Sequence, residues 1–387
     1  QASGARLALV EANSPERDGF AHLDWSPEFL HAATPTLAPV STAVAAPAML
    51  LASSGTTGSP KIYAVDYDVM IAWGGIRDAD LEMPLGLALC ALPLQYVASI
   101  MLVLRNLLIG LPIRFHPVLT SQSDLIEAML SHPVVHTALS PSVIRAMAAD
   151  VGTRDVPLLE NVRSLRSSGG PALPDDKIAA YRNLSSGYNM AFGSGLSGFV
   201  SVLAGEDVLL RPETSGRVHS GMHVDVVHPS GRVLPKGTEG ALRIHTKTPS
   251  RLIAPTRPAN EVLGDGWCMT GDVGMVDEDG FLTVLGRSMD MIVRGGISIS
   301  ATELESVIAR LPGVKDVAVI GLDDLELGQE VAAAVVAPGI ESAALRQYCI
   351  SKISPDKRPR KFALVDRLPY SANGKLLRRK IDLSVFG

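Results

Sequence analysis

Apolar and polar positions follow two rhythms along this chain. Between residues 48 and 149, short apolar runs give way to longer segments of helical period. Residues 48–52 read as a short buried strand entering a glycine-rich turn, 87–92 as a strand, 98–108 as a helix, 112–115 as extended chain, and 137–149 as a further strand–helix unit. Strands alternating with helices predict an α/β domain. From about Gly216 short alternating strands take over, at 224–227 and 241–245 and in a hairpin of 273–276 with 281–285 about the turn Asp277-Glu278-Asp279-Gly280. Beyond residue 287 the pattern is α+β, with helices at 301–310 and 342–353 and strands at 317–321 and 331–336. The predicted architecture is an α/β fold: a large domain of α/β layers over 1–287 with a β-rich subdomain from about 216, and a small mobile α+β domain over 288–387.

Composition narrows the function. A chain of 387 residues with 47% hydrophobic and 19% charged residues can bury more than one core. A net charge of −5 without Lys/Arg runs excludes nucleic acid as the expected partner. The most apolar stretch, 85–113, is interrupted by Pro93, Gln95, Arg105 and Pro112, so it reads as a buried helix with flanking strands and not as a membrane span. The 3 cysteines, Cys90, Cys268 and Cys349, have neither disulfide nor zinc-knuckle spacing, and the first residues lack a signal-type apolar run; both point to the cytoplasm.

The densest chemistry lies in Ser53-Ser54-Gly55-Thr56-Thr57-Gly58-Ser59-Pro60-Lys61, just after the first buried strand. Glycines let backbone N–H groups converge, hydroxyls add donors and Lys61 adds charge, a combination suited to a polyphosphate. The spacing is not that of a Walker loop, which needs Gly-Lys-Ser/Thr after four intervening residues. Ser167-Ser168-Gly169-Gly170-Pro171 forms a second glycine-rich turn, and Thr270-Gly271-Asp272 offers a carboxylate able to accept two hydroxyls. Gly286-Arg287-Ser288-Met289-Asp290 and Asn373-Gly374-Lys375 complete the ordered set. His132 and His136 are separated by Pro133 and have no nearby carboxylate, so they read as structural, as do His219, His223 and His228.

In this order the segments resemble the AMP-forming adenylating superfamily of acyl-CoA synthetases, peptide-synthetase adenylation domains and luciferase. Among its short members the chain is similar to the o-succinylbenzoate–CoA ligases. The resemblance implies that ATP sits against Ser53, Ser54, Gly55, Thr56, Thr57, Gly58 and Lys61, with adenine along Gly169, Gly170 and Pro171 and ribose at Asp272 and Arg287. It implies that Lys375 is the catalytic lysine, that Met289 and Asp290 form the hinge, and that Tyr96 and Gly193 border the acid. ATP and Mg²⁺ are the implied cofactors, with the metal ligands unknown. The partners are a small carboxylate and CoA, the favoured thiol; a carrier-protein thiol or an amine is an alternative. Two departures stand out: only residues 1–52 precede the phosphate loop, and Gly195 and Leu196 replace the family's threonine and glutamate. They leave a second reading, a non-catalytic protein of the same fold that binds a nucleotide, an acyl compound or a partner.

Overall fold

The computed structural model describes residues 7–11, 21–25, 48–53, 61–73, 84–94, 96–117, 121–170, 172–194, 197–246, 251–254, 262–263, 266–369 and 376–386. Near the start β1 (Leu7–Glu11) and β2 (Ala21–Trp25) pair in parallel. The hairpin of β3 (Met49–Ser53) and β4 (Lys61–Val65) then leads into α1 (Tyr67–Trp73). Met49 and Leu50 are half-buried, not fully buried as their apolar run predicts, because β3 is an edge strand of its sheet.

The central sheet follows from the alternation seen in the sequence. In chain order it receives β5 (Leu87–Cys90), α2 (Val97–Leu108), β6 (Ile113–Phe115), α3 (Gln122–Ser131), β7 (Val134–Leu139), α4 (Pro141–Val151), β8 (Ser164–Ser167), α5 (Pro174–Ala179), β9 (Tyr188–Ser194), β10 (Gly198–Ala204), α6 (Asp207–Leu210) and β11 (Arg217–Val218). The 7 strands lie in the order β11-β10-β9-β8-β7-β5-β6. From β6 through β9 all pairings are parallel, and β10 returns antiparallel. The chain steps from β5 outward to β6, then back across to β7, so the winding reverses between β5 and β7. A right-handed crossover on each side of that reversal puts the helices on opposite faces. Leu89, Leu139, Leu165, Tyr188 and Met190 accordingly pack against Leu125, Met129, Ile144 and Met147 of α3 and α4. The other face sets Ala88, Cys90 and Ala138 against Leu102 of α2.

Local signals place the helix starts. Ser121 and Asp124 form a reciprocal capping box, and Ser140 with Pro141 opens α4. The far side of α2 is covered as well, with Met101 packed among Tyr63, Val65, Val69 and Cys268. This burial on two sides explains the long apolar stretch. Among the described residues no helix is long and apolar enough to cross a membrane.

Next come β12 (His223–Val227), β13 (Gly240–His245), β14 (Arg251–Ala254), β15 (Val262–Leu263), β16 (Trp267–Val276) and β17 (Leu282–Arg287). Most join a sheet of order β12-β13-β16-β15, with β17 on β16, while β14 crosses back to pair with β4. The chain after residue 290 forms β18 (Met291–Arg294), β19 (Ile297–Ser300), α7 (Ala301–Ile308), β20 (Asp316–Asp324), β21 (Gly328–Val336), α8 (Ser342–Lys352) and β22 (Lys361–Leu364). Its sheet has its own core: Val331, Ala333 and Val335 pack with α7 and α8, and Ala332 and Ala334 pack on the opposite face with Leu368 and Ile381. Just past α7, Arg310 reaches the large unit, pairing with Asp175 (2.8 Å) and Asp176 (3.1 Å) of α5.

Within the central sheet His136 is 1% exposed, and its Nδ1 lacks a hydrogen-bond partner among the described residues. Burial, and after it the charges of Arg166 and Arg105, hold its pKa down from 6.5 to about 3. The folded state therefore keeps His136 neutral where the unfolded chain takes up a proton. Its contribution to stability is complete above 6.5 and is lost progressively as the pH falls from there toward about 3. Urea midpoints of the native protein should accordingly fall between about pH 7 and about pH 5 more steeply than those of His136→Leu. Parallel pH profiles for the two proteins would refute this.

Candidate active site

The carboxyl ends of parallel strands beside a winding reversal are where an open α/β sheet exposes its loops to a ligand. Several residues singled out from the sequence stand at those ends. Tyr96, 46% exposed, is the N-cap of α2 in the loop leaving β5. Gly169 and Gly170 follow β8, with Gly169 at φ +93°, a left-handed conformation that glycine adopts without strain. Gly193 lies at the end of β9, where a Cβ would collide with the carbonyl of Gly198 on β10. Its lack of a side chain is thus required by the close approach of two strands.

The second group comes from the β-rich sheet. Asp272 and Arg287 are register partners on β16 and β17, and Arg287 Nε lies 2.9 Å from Asp272 Oδ1. Thr270 completes the arrangement: its Oγ1 accepts from the Asp272 backbone N–H (3.0 Å), and its carbonyl accepts from Arg287 Nη1 (2.9 Å). The Asp272 side chain is 6% exposed and that of Arg287 57%. Burial raises the Asp272 pKa, opposed by Arg287 and by the Thr270 hydroxyl. A carboxylate has about four acceptor sites, so this one can hold Arg287 and still receive hydroxyls from a ligand. Gly271, at φ +74°, lies within β16 between Thr270 and Asp272, where the pairing with β13 shifts register.

The run 53–61, expected to hold phosphates, is described at its two ends. Ser53 and Lys61 are register partners of the β3–β4 hairpin, so the strands bring the two ends of the run together. Ser54, Gly55, Thr56, Thr57 and Gly58 lie outside the described residues, as do Pro171, Gly195, Leu196 and Lys375.

The predicted hinge residues Met289 and Asp290 lie in a single helical turn, Ser288–Asp290, between β17 and β18. Asp290 Oδ2 is 3.3 Å from Arg378 Nη1, and Glu305 of α7 grips the same guanidinium through Nε (3.0 Å) and Nη2 (2.6 Å). Glu305 also accepts the Val319 backbone N–H, and burial raises its pKa against the pull of Arg378. Arg378 stands three residues beyond Lys375, so the Ser288–Asp290 turn and the chain that follows Lys375 are tied through one side chain. Arg378 has no role in the sequence reading, although the Gly-Lys-x-x-Arg spacing was an available signal. Thr270 belongs to the Thr270-Gly271-Asp272 segment singled out there, and its bonds to Asp272 and Arg287 are what the structure adds. His132 bonds the carbonyl of Ala128 at the end of α3, while His136 is buried in β7, so the two serve separate packing roles. Among the described residues no group of three or more His, Cys, Asp or Glu side chains could hold a metal.

Known proteins resemble this chain in sequence and in fold. The AMP-binding enzyme family model matches residues 6–251, and the AMP-binding enzyme C-terminal domain model matches 303–375. A 2-succinylbenzoate–CoA ligase of Listeria monocytogenes is 29% identical over 347 residues, covering 86% of this chain and 69% of the relative. The o-succinylbenzoate CoA synthetase of Bacillus subtilis, solved with AMP, superposes with a TM-score of 0.83 at 21% identity, over 98% of this chain and 78% of that one. The amide bond synthetase McbA of Marinactinospora thermotolerans gives 0.71 at 24% identity, over 86% and 68%. Likeness at such identities bears on the fold alone. The first of the two family models spans well over half of the sequence, and on that ground the chain belongs to the AMP-binding enzymes.

Proposed function

We propose that this protein activates a carboxylic acid with ATP, forming an acyl- or aryl-adenylate and pyrophosphate, and passes the acyl group to the thiol of CoA. The observation that supports this most directly is the Asp272–Arg287 pair, a buried carboxylate and an exposed cation held side by side at the positions expected to meet ribose. The relatives named as CoA ligases favour CoA over a carrier protein or an amine.

The chemistry explains the charge distribution. An acid carboxylate attacking the α-phosphate brings two anions together, and the developing charge has to be met by fixed cations and donors. Lys375 and Lys61, with the N–H groups of the loop between Ser53 and Lys61, would supply them, with no protein nucleophile. Asp272 and Arg287 would orient the ribose, so that part of the barrier is met by positioning. Mg²⁺ would screen the phosphate oxygens; with Leu196 in place of an acid, it would be held by the triphosphate and water. The unit from 288 onward would turn about Ser288–Asp290 to bring Lys375 in for adenylation and withdraw it for thiol transfer. Arg378, held by Asp290 and Glu305, is a positioning residue for the lysine segment.

Carboxylate-dependent exchange of pyrophosphate into ATP over a panel of aryl, succinyl-aryl and fatty acids tests the reading. Exchange should appear with one acid class and fall about a hundred-fold or more in Lys375→Ala. Binding of ATP unaffected by any acid, without exchange, would favour the non-catalytic reading left by Gly195 and Leu196. Asp272→Asn should raise the KM for ATP while leaving the KM for the acid nearly unchanged. Arg378→Met should lower kcat by about tenfold or more at nearly constant KM for ATP, with partial recovery in Arg378→Lys; equal losses in kcat and ATP affinity would reassign Arg378 to folding.

A further inference from the structure

Arg310 joins segments that lie far apart in the sequence. Its Nη1 is 2.8 Å from Asp175 Oδ2 and its Nη2 3.1 Å from Asp176 Oδ1, carboxylates 135 and 134 residues earlier in the chain. One planar guanidinium thus holds two carboxylates, which fixes direction as well as distance. The side chains of Arg310 and Asp176 are 30% and 20% exposed.

Both ends of the contact are anchored. α7 buries Ala301, Leu304 and Ile308 in the core it shares with β20 and β21, so it moves only together with that sheet. α5 is fixed to the large unit, because Lys177 donates to the carbonyls of Pro212 (2.7 Å) and Thr214 (2.8 Å) and Ala180, at the end of the helix, is buried in the core of the central sheet. A bond from Arg310 to α5 therefore sets one core against the other.

Each anchor also continues into an element of the site. Pro171, Ala172 and Leu173 separate Gly170 from α5, so Asp175 and Asp176 stand in the first turn of the helix that leaves the segment expected along adenine. On α7, Glu305 grips Arg378 through Nε (3.0 Å) and Nη2 (2.6 Å), and Arg378 follows closely on Lys375. α7 thus acts as a bar, with the lysine segment held at Glu305 and the large unit held just past its end, at Arg310. A turn of the unit about Ser288–Asp290 carries Arg310 away from α5, so the contact belongs to one orientation and is lost in the other.

We propose that Arg310 is a positioning residue for adenylation: its hold on Asp175 and Asp176 docks the lysine-bearing unit against α5, and its release accompanies thiol transfer. The proposal rests on the adenylating reading above. Arg378 orders the lysine segment within the small unit, whereas Arg310 orders the small unit on the large one.

Pyrophosphate exchange with the best acid of the panel reports the first half-reaction, and transfer of the synthetic adenylate of that acid to CoA reports the second. Arg310→Ala should lower kcat for exchange about fivefold or more, with the KM for ATP within about twofold of native and transfer to CoA undiminished. Arg310→Asp should be at least as slow in exchange, and Arg310→Asp combined with Asp176→Arg should regain most of the native rate, because the pair is restored with its charges exchanged. Unchanged exchange in Arg310→Ala, equal losses in the two half-reactions, or no recovery in the exchanged pair overturns the proposal. Absence of exchange with every acid sinks the adenylating reading alone. The docking contact is then decided by limited trypsin digestion of the ligand-free protein, followed at the Arg287–Ser288 bond by mass spectrometry. Cleavage there should be about fivefold faster in Arg310→Ala and return to the native rate in the exchanged pair; equal rates in the native protein and Arg310→Ala overturn the proposal.

Discussion

The reversal of winding between β5 and β7 is the constraint from which the rest of the large unit follows. Parallel strands need crossovers, crossovers have one hand, and a change of direction therefore leaves a crevice at the carboxyl ends of the strands with helices on either side. Tyr96, Gly169 and Gly193 come from separate parts of the chain, yet all three stand at these ends. The same topology fixes the contrast between the two faces of the sheet. One face meets α3 and α4 through large apolar side chains, and the other meets α2 through alanine and cysteine.

Much of this was legible in the sequence. Short apolar runs and helical spacing located β5, β6, β7 and α2, and glycine with hydroxyl and acidic residues marked the Gly169 turn and the Thr270–Asp272 segment. What was hidden has a common physical character, since it depends on partners far apart in the chain. The return of β14 to β4 has no local signal, because any short apolar strand could pair elsewhere. The grip of Asp290 and Glu305 on Arg378 joins three segments whose charges are individually unremarkable on a charged surface. Gly193 was expected to border the acid; its requirement for glycine arises from the carbonyl of Gly198 and appears only once β9 and β10 are paired. The helix predicted over 301–310 ends at Ile308 because Leu311-Pro312-Gly313 begins the turn into β20.

Buried ionic groups are handled in different ways across the molecule. Lys177, 3% exposed, gives its ammonium to the carbonyls of Pro212 (2.7 Å) and Thr214 (2.8 Å). Burial nonetheless draws its pKa down to about 8, against the partial compensation of Glu213. Glu305 is met by a guanidinium and a backbone N–H, and Asp272 by a guanidinium that remains largely in solvent. The first two are closed structural arrangements, with their donors and acceptors matched inside the protein. The third keeps one partner in water, an arrangement suited to a group that must also meet a ligand.

The contact of Arg310 with Asp175 and Asp176 has a mechanical consequence. Asp175 is 79% exposed, so water and dissolved ions compete for its bond to Arg310, while Asp176 is more sheltered. A joint of interlocked apolar side chains would have to be pulled apart against cohesion, whereas these charges exchange one hydrated partner for another. The strength of this contact is thereby set by the ionic strength of the medium as much as by the sequence.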